Sequence, residues 1–317
     1  MIVALAGGVG GARLALGLAA VLKPAQLSIV VNTGDDFEHL GLHVSPDLDT
    51  VMYTLAGVNN PRTGWGRRDE SWQFMTALRA LGGADWFNLG DRDLAVHVLR
   101  TEALRAGSTL SAVTATLARR LGVRHPLLPM SDAPVRTRVI TATGELAFQD
   151  YFVRQRCRPR AQGFRFAGVR AARPAPALQQ LMHSGRVRGL VLCPSNPFVS
   201  VAPILAVPGI RAWLRRRDFP VVAVSPIVGG AALKGPAAKM MRELGLDASA
   251  AGLARHYGGL VDGWVIDHAD ARLQTTIEET GRDVLVTDTI MRNPARSARL
   301  AATVVAFVRR LAAERRR

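Results

Sequence analysis

The opening of the chain restricts its fold most. "MIVALA" (1–6) is a short continuous apolar run, the pattern of a strand buried on both faces of a parallel sheet. It breaks into glycines, and "ARLALGLAAVL" (12–22) then sets Leu14, Leu18 and Val21 on one helical stripe. "LSIVVNTG" (27–34) is apolar again. Strand, glycine loop, helix and strand make one βαβ unit of about 30 residues. Similar strand signals recur at 189–197, 219–230, 262–267 and 283–289, and "SARLAATVVAFVRRLAAE" reads as a C-terminal helix. Between the two runs lie helical patterns at 69–82, 93–107 and 110–122, and a hairpin pattern around a Thr-Gly turn at 135–155. The expectation is an α/β fold: a Rossmann-like, doubly wound, mainly parallel sheet in one domain over 1–317, with a helical and hairpin insertion at 60–165.

Composition excludes several classes. No apolar run approaches the roughly 20 residues that span a bilayer. "MIVALAGGVGGAR" lacks the basic leader of a signal peptide, so no membrane partner and a cytoplasmic location are expected. Cys157 and Cys193 are isolated, which gives neither a disulfide framework nor a zinc site. The net charge is +16, and of 41 basic residues only Lys23, Lys234 and Lys239 are lysine. Nucleic-acid readers interleave aromatics with basic residues. Here aromatics are 6% and the basic runs "RAWLRRRDF" and "RRLAAERRR" read as helix surface and tail, so no nucleic acid is expected. A pull on phosphates is the remaining use of the charge.

"AGGVGGAR" is not a Walker A loop, since no Gly-Lys-Ser/Thr follows. It also departs from the dinucleotide fingerprint: Gly8 and Gly10 fit, but Arg13 stands at the third glycine. It suits a phosphate or ribose cradle at a helix N-terminus, or a tight turn with no ligand. Asp35, Asp36, Asp47 and Asp49 fall within 15 residues. Asp35 and Asp36 close a strand whose carboxyl end should face the crevice. Asp47 and Asp49 would point the same way in extended chain, although Asp47 also suits a cap for the helix after it. Acids converging in this way repel one another unless a cation sits among them, and oxygen ligands suit magnesium. His39 and His43 read as polar loop residues, and His97 and His256 as packed or capping ones. "LGDRD" offers Asp91 and Arg92 to a substrate or caps a helix; "CPSNP" offers Ser195 and Asn196; "GGAALKGPAAK" brings Lys234 and Lys239. No nucleophile–base spacing is recognisable.

Taken together, "AGGVGGARLALGLA", "VNTGDDFEHLGLHVSPDLDTVMYTLAG", "GWGRRDESW", "LGDRDLAVH", "LLPMSDAPVRT", "PSNPFVSVAPILAVPGIR", "VSPIVGGAALKGPAAKMM" and "DTIM" closely resemble the 2-phospho-L-lactate transferase family of coenzyme F(420) biosynthesis. The resemblance implies transfer of a phosphorylated three-carbon acid from a guanosine-diphosphate-linked donor to the ribityl hydroxyl of the deazaflavin Fo, with release of GMP and a requirement for magnesium. The acid is phospholactate, phosphoenolpyruvate or phosphoglycerate, and nothing in the chain chooses among them. The resemblance implies deazaflavin contacts at Asp49 and Asn88, with Asp91 and Arg92 beside them. Asp35, Asp36 and Asp49 become the metal and catalytic end, with Asp49 orienting or deprotonating the hydroxyl. Gly7, Gly8, Gly10, Gly11, Ser195, Asn196 and Lys234 become the nucleotide end. A homodimer is implied as well. Two other readings stand beside this one: a non-catalytic, sugar-nucleotide-binding regulator sharing the glycine loop, and a nicotinamide oxidoreductase, which Arg13 weakens.

Overall fold

The computed structural model describes residues 1–315. Strand β1 (Ile2–Ala6), helix α1 (Gly8–Val21) and strand β2 (Leu27–Val31) form the expected opening unit. A short antiparallel hairpin, β3 (Phe37–His39) and β4 (Leu42–Val44), follows. Helices α2 (Pro46–Leu55), α3 (Gln73–Ala80), α4 (Asp91–Arg105) and α5 (Leu110–Arg120) then lead to strand β5 (Leu127–Pro129). Strands β6 (Arg136–Thr141), β7 (Gly144–Ala147) and β8 (Gly163–Ala167) make a separate antiparallel sheet. The second α/β run supplies β9 (Gly189–Leu192), β10 (Val221–Val224), a small hairpin β11 (Ile227–Val228) and β12 (Ala231–Ala232), β13 (Gly263–Asp267) and β14 (Asp283–Thr287). Helix Pro294–Glu314 closes the fold.

Seven strands pair in the order β14-β13-β10-β9-β1-β2-β5, and every pairing is parallel. The chain starts at the centre with β1, runs out to one edge, then returns beside β1 and runs to the other. This is the doubly wound order, and it reverses between β1 and β9. All residues of β1, β2, β9, β10 and β13 are buried, which is why these strands read as unbroken apolar runs. One core packs α1, α2 and the C-terminal helix on one face of the sheet, around Leu14, Leu18, Met52 and Val304. The other face carries Leu178, Ile204, Met240 and Leu253. α1 lies very close to the C-terminal helix: a Cβ on Gly17 would stand 2.1 Å from the Ser297 carbonyl oxygen.

Residues 60–165, expected as one insertion, hold β5 of the main sheet within them. The helical part is the β2-to-β5 crossover, and the three-stranded sheet is a second excursion before β9. Three-residue β5 is too short to stand out from sequence periodicity. Among the described residues, no helix is long and apolar enough to cross a membrane.

Candidate active site

The switch point brings two loops together. β1 ends at Ala6 and the chain enters Gly7; β9 ends at Leu192 and enters Cys193-Pro194-Ser195. The Ser195 hydroxyl accepts from Gly7 N at 3.1 Å and donates to Gly7 O at 2.8 Å. The loops touch because glycine lacks Cβ. On Gly10 it would stand 2.2 Å from Pro194 O, and on Gly11 2.5 Å from Ser195 Oγ. Gly8 has φ +61°, a left-handed conformation that glycine adopts without strain. The Asn196 side chain caps the next turn by accepting from Phe198 N at 2.9 Å.

Three carboxylates gather at this loop. Asn32, the first residue after β2, donates through Nδ2 to Asp35 Oδ1 at 3.1 Å and to Asp47 Oδ2 at 2.9 Å. Asp47 N donates to Asp35 Oδ2, and Gly8 N donates to Asp47 Oδ1 at 2.6 Å. So Asp47 stabilises the N-terminus of α1, not that of the helix it belongs to. Burial, then the charges of Asp47 and Asp36, hold the Asp35 carboxyl well above its ordinary value. Burial raises Asp47 to about 6, against hydrogen bonds from Asn32, Gly8 and Ser200. Asp36 Oδ2 accepts from the Ser45 hydroxyl at 3.0 Å and lies 3.0 Å from His43 Nε2. Its other oxygen, Oδ1, is buried with no partner.

This group fits the implied magnesium. The buried Asp35 carboxyl, raised by the charges of Asp47 and Asp36, lacks a compensating charge, and a buried oxygen with no donor, Asp36 Oδ1, carries an unmet desolvation cost. A hard divalent cation satisfies both, and Asp35 and Asp36 are the residues that would hold it.

Asp49 is not part of this group. The sequence suggested an extended "SPDLDT" with Asp47 and Asp49 on one side; the segment is instead the first turn of α2. Residues two apart in a helix diverge by about 200°. Asp49 therefore turns away, and both its oxygens meet Arg100: Nη1 donates to Oδ2 at 3.0 Å and Nη2 to Oδ1. His97 lies beside them, with Nδ1 3.7 Å from Asp49 Oδ2 and Nε2 3.3 Å from Asp93 Oδ1. The Tyr53 hydroxyl donates to Asp93 at 2.6 Å. Asp49, Asp93 and His97 bring ligand atoms within 4.8 Å of one another, yet the cation already present there is the Arg100 guanidinium. Expecting Asp49 to ligate the same metal as Asp35 and Asp36 thus fails on helical phase.

Several other expected residues have protein partners. Asp91 accepts from the Ser71 hydroxyl, Gln73 N and Phe74 N, so it caps α3. Glu70 does the same for α4 by accepting from Arg92 N and Asp93 N. The Arg92 side chain is exposed and 4.0 Å from Asp69. Asn88 Oδ1 accepts from Arg79 at 2.9 Å. Lys234 donates to Thr63 O at 2.6 Å, which ties its loop to the segment packed on Val9 of the glycine loop.

Sequence reasoning placed Asp93 only in the "LGDRD" turn, as a substrate contact or helix start, and did not place Asn32, His97 or Arg100 in a site. A signal existed for three of these four. Asp93, His97 and Arg100 are spaced i, i+4, i+7, one stripe of α4. Asn32 carried none, because an asparagine before Thr-Gly reads as a turn.

Comparison with known proteins agrees with this architecture. The family model described as 2-phospho-L-lactate transferase CofD matches residues 2–305. The phosphoenolpyruvate transferase of Streptomyces griseus is 48% identical over 286 residues, covering 88% of this chain and 89% of the relative. That of Streptomyces coelicolor is 44% identical over 317 residues, covering 97% and 99%. A solved UPF0052-family protein from Bacillus halodurans has a TM-score of 0.61 at 12% identity, covering 96% of this chain and 98% of its own, a likeness of fold alone.

Proposed function

The chain belongs to the 2-phospho-L-lactate transferase family, and from that premise we propose that it moves a phosphoenolpyruvyl group from a guanosine-diphosphate-linked donor to the ribityl hydroxyl of Fo. It is a transferase of coenzyme F(420) biosynthesis. The names of its relatives support phosphoenolpyruvate over phospholactate and phosphoglycerate. The observation that carries the mechanism is the buried group Asp35, Asp36 and Asp47 against the glycine loop at the sheet's switch point.

In the reaction, the hydroxyl oxygen bonds to the phosphorus that bears the acid. The bond from that phosphorus to the GMP oxygen breaks, its electron pair leaves with GMP, and the hydroxyl proton must be taken up. Such transfers depend mainly on positioning and charge neutralisation. Magnesium on Asp35 and Asp36 would neutralise the donor's diphosphate charge. Asp47 takes the proton in this scheme. Burial raises its carboxyl to about 6, near the working pH where a base is most effective. Asp49, the residue the resemblance suggests for this step, suits it less because both its oxygens meet the Arg100 guanidinium, whose charge opposes protonation, whereas Asp47 accepts from the neutral donors Gly8 N and Asn32 Nδ2. Its role becomes one of holding α2 against α4. The glycine loop and Ser195 form the nucleotide end, and the resemblance carries a homodimer, which light scattering checks.

The deciding experiment incubates purified protein with Fo, magnesium and each of the three donors separately. GMP release and product mass are followed. Turnover with the phosphoenolpyruvyl donor supports the reading; turnover only with another donor changes the acid. No turnover by folded protein with any donor rejects the transferase mechanism.

A further inference from the structure

The fold sorts the chain's charge by end. Every pairing in the main sheet is parallel, so the loops that enter β2, β5, β9 and β10 lie together at the end away from the glycine loop. These loops, 22–26, 121–126, 184–188 and 216–220, hold Lys23, Arg124, Arg186, Arg188, Arg216 and Arg217 against a single acid, Asp218. Of these cations all but Arg217 are exposed. Acids that reach this end from the neighbouring strands are already neutralised, Asp262 by Arg217 and Arg315, and Asp283 by Arg310. The carboxylates Asp35, Asp36 and Asp47 gather at the opposite end. Strands of four or five residues hold the two ends about 13–17 Å apart. That exceeds the screening length of about 8 Å at physiological salt. These cations therefore do not serve phosphates bound at the switch point.

Two clefts open on the same face. One, of about 450 Å³, is walled by Leu181, Met182, Val187, Trp213 and Phe219, with Arg216 and Arg217 in its lining. The Trp213 and Phe219 rings stand 5.3 Å apart between centroids. Arg217 spends its Nη atoms on Leu214 O, Leu260 O and Asp262, while its buried Nε has no partner. The other cleft, of about 350 Å³, joins buried Ile2, Leu22 and Val308 to exposed Arg188 and Arg309. Val187 lines the first cleft and Arg188 the second, so one loop divides them. The face is thus recessed apolar surface set among arginines.

We propose that this end of the sheet docks an acidic segment of a partner protein, with an aromatic or branched apolar side chain in the Trp213–Phe219 cleft and carboxylates on Arg186, Arg188 and Arg216. Arginine clusters recognise acidic motifs through charge-assisted pairs, and an apolar anchor in a pocket carries much of an interface's energy. Other occupants match the face less well. A bilayer is gripped by protruding apolar side chains, and no large apolar side chain of these four loops is exposed. A nucleic acid would meet the arginines but leave both clefts unfilled, and half-buried Trp213 is no stacking platform. The same face of a second copy would set like charges against each other. Because the face lies opposite the crevice, docking leaves the nucleotide end free.

The test follows the fluorescence anisotropy of a labelled probe peptide, Glu-Glu-Leu-Phe-Glu-Glu, and of a counterpart with serine at both apolar positions. Wild type is compared with the double variant Arg186→Glu/Arg188→Glu and with Ala212→Phe, which fills the first cleft from an exposed position. GDP, a short DNA duplex and phosphatidylglycerol vesicles are added as competitors. The apolar peptide should bind wild type about tenfold or more tightly than its serine counterpart, and each variant should weaken it about tenfold. GDP should not displace it. Equal or absent binding of the two peptides, or undiminished binding to either folded variant, overturns the proposal. Displacement by GDP places the peptide at the nucleotide end and overturns it too. A duplex or vesicle that displaces the peptide and binds more tightly overturns the acidic segment as occupant. Thermal unfolding shows whether each variant folds. The two variants alter different parts of the face, so if one does not fold the other decides.

Discussion

Replacing Arg100 with methionine tests the buried ion pair between α2 and α4 directly. Arg100 is 2% exposed and Asp49 4%. The guanidinium meets both carboxylate oxygens and lies 3.3 Å from His97 Nδ1. Methionine fills most of the volume but leaves the buried Asp49 carboxyl without its guanidinium partner. Breaking a buried pair from one side costs about 3–5 kcal/mol. Domains are stable by about 5–15 kcal/mol, so the loss should take a large fraction of the total. Replacing both partners, Arg100→Met with Asp49→Leu, removes the uncompensated charge as well. That double variant should recover most of the loss, because apolar replacement of a whole buried pair is often near neutral. The assay is urea unfolding of the wild type, both single variants and the double variant, with the coupling energy taken from the cycle. A cost below about 1 kcal/mol for Arg100→Met, or a double variant as unstable as the sum of the singles, would refute the argument that this pair is desolvated and mutually dependent.

Three further outcomes are expected. Gly10→Ala forces a Cβ to within 2.2 Å of Pro194 O, and thermal unfolding together with GDP titration should register about 1–3 kcal/mol of destabilisation and weaker nucleotide binding. Asp47 has a folded-state pKa raised to about 6 from 3.8. The folded chain then holds a proton that the unfolded chain has lost between those values, so this group's contribution falls as pH rises from about 4 to 6, by on the order of 3 kcal/mol. Urea unfolding at both ends of that window should show this fall in wild type relative to Asp47→Asn; a relative rise would contradict it. Magnesium chloride should raise Tm more at pH 7.5 than at pH 4.5, because protons compete with the metal for the raised Asp35 carboxyl. An equal rise at both pH values would remove Asp35 as its ligand.

What the sequence determined by itself is what local pattern controls. Continuous apolar runs such as "MIVALA" and "LSIVVN" demanded strands covered on both faces, and glycines between strand and helix demanded a tight βα turn. The family was legible too, because its motifs are contiguous stretches. Tertiary structure decided which carboxylates meet. Asp47 and Asp49 are two residues apart, yet α2 sends one to the glycine loop and the other to Arg100, 51 residues away in sequence. The Gly7–Ser195 contact spans 188 residues. Asp91 reads as a substrate contact until α3 is seen docked against it, with its free N–H groups aimed at the carboxylate. Periodicity fixes which side of its own element a residue occupies. It carries no information about which remote element packs on that side, and the partner of a buried charge is set there, by helical phase and close approach.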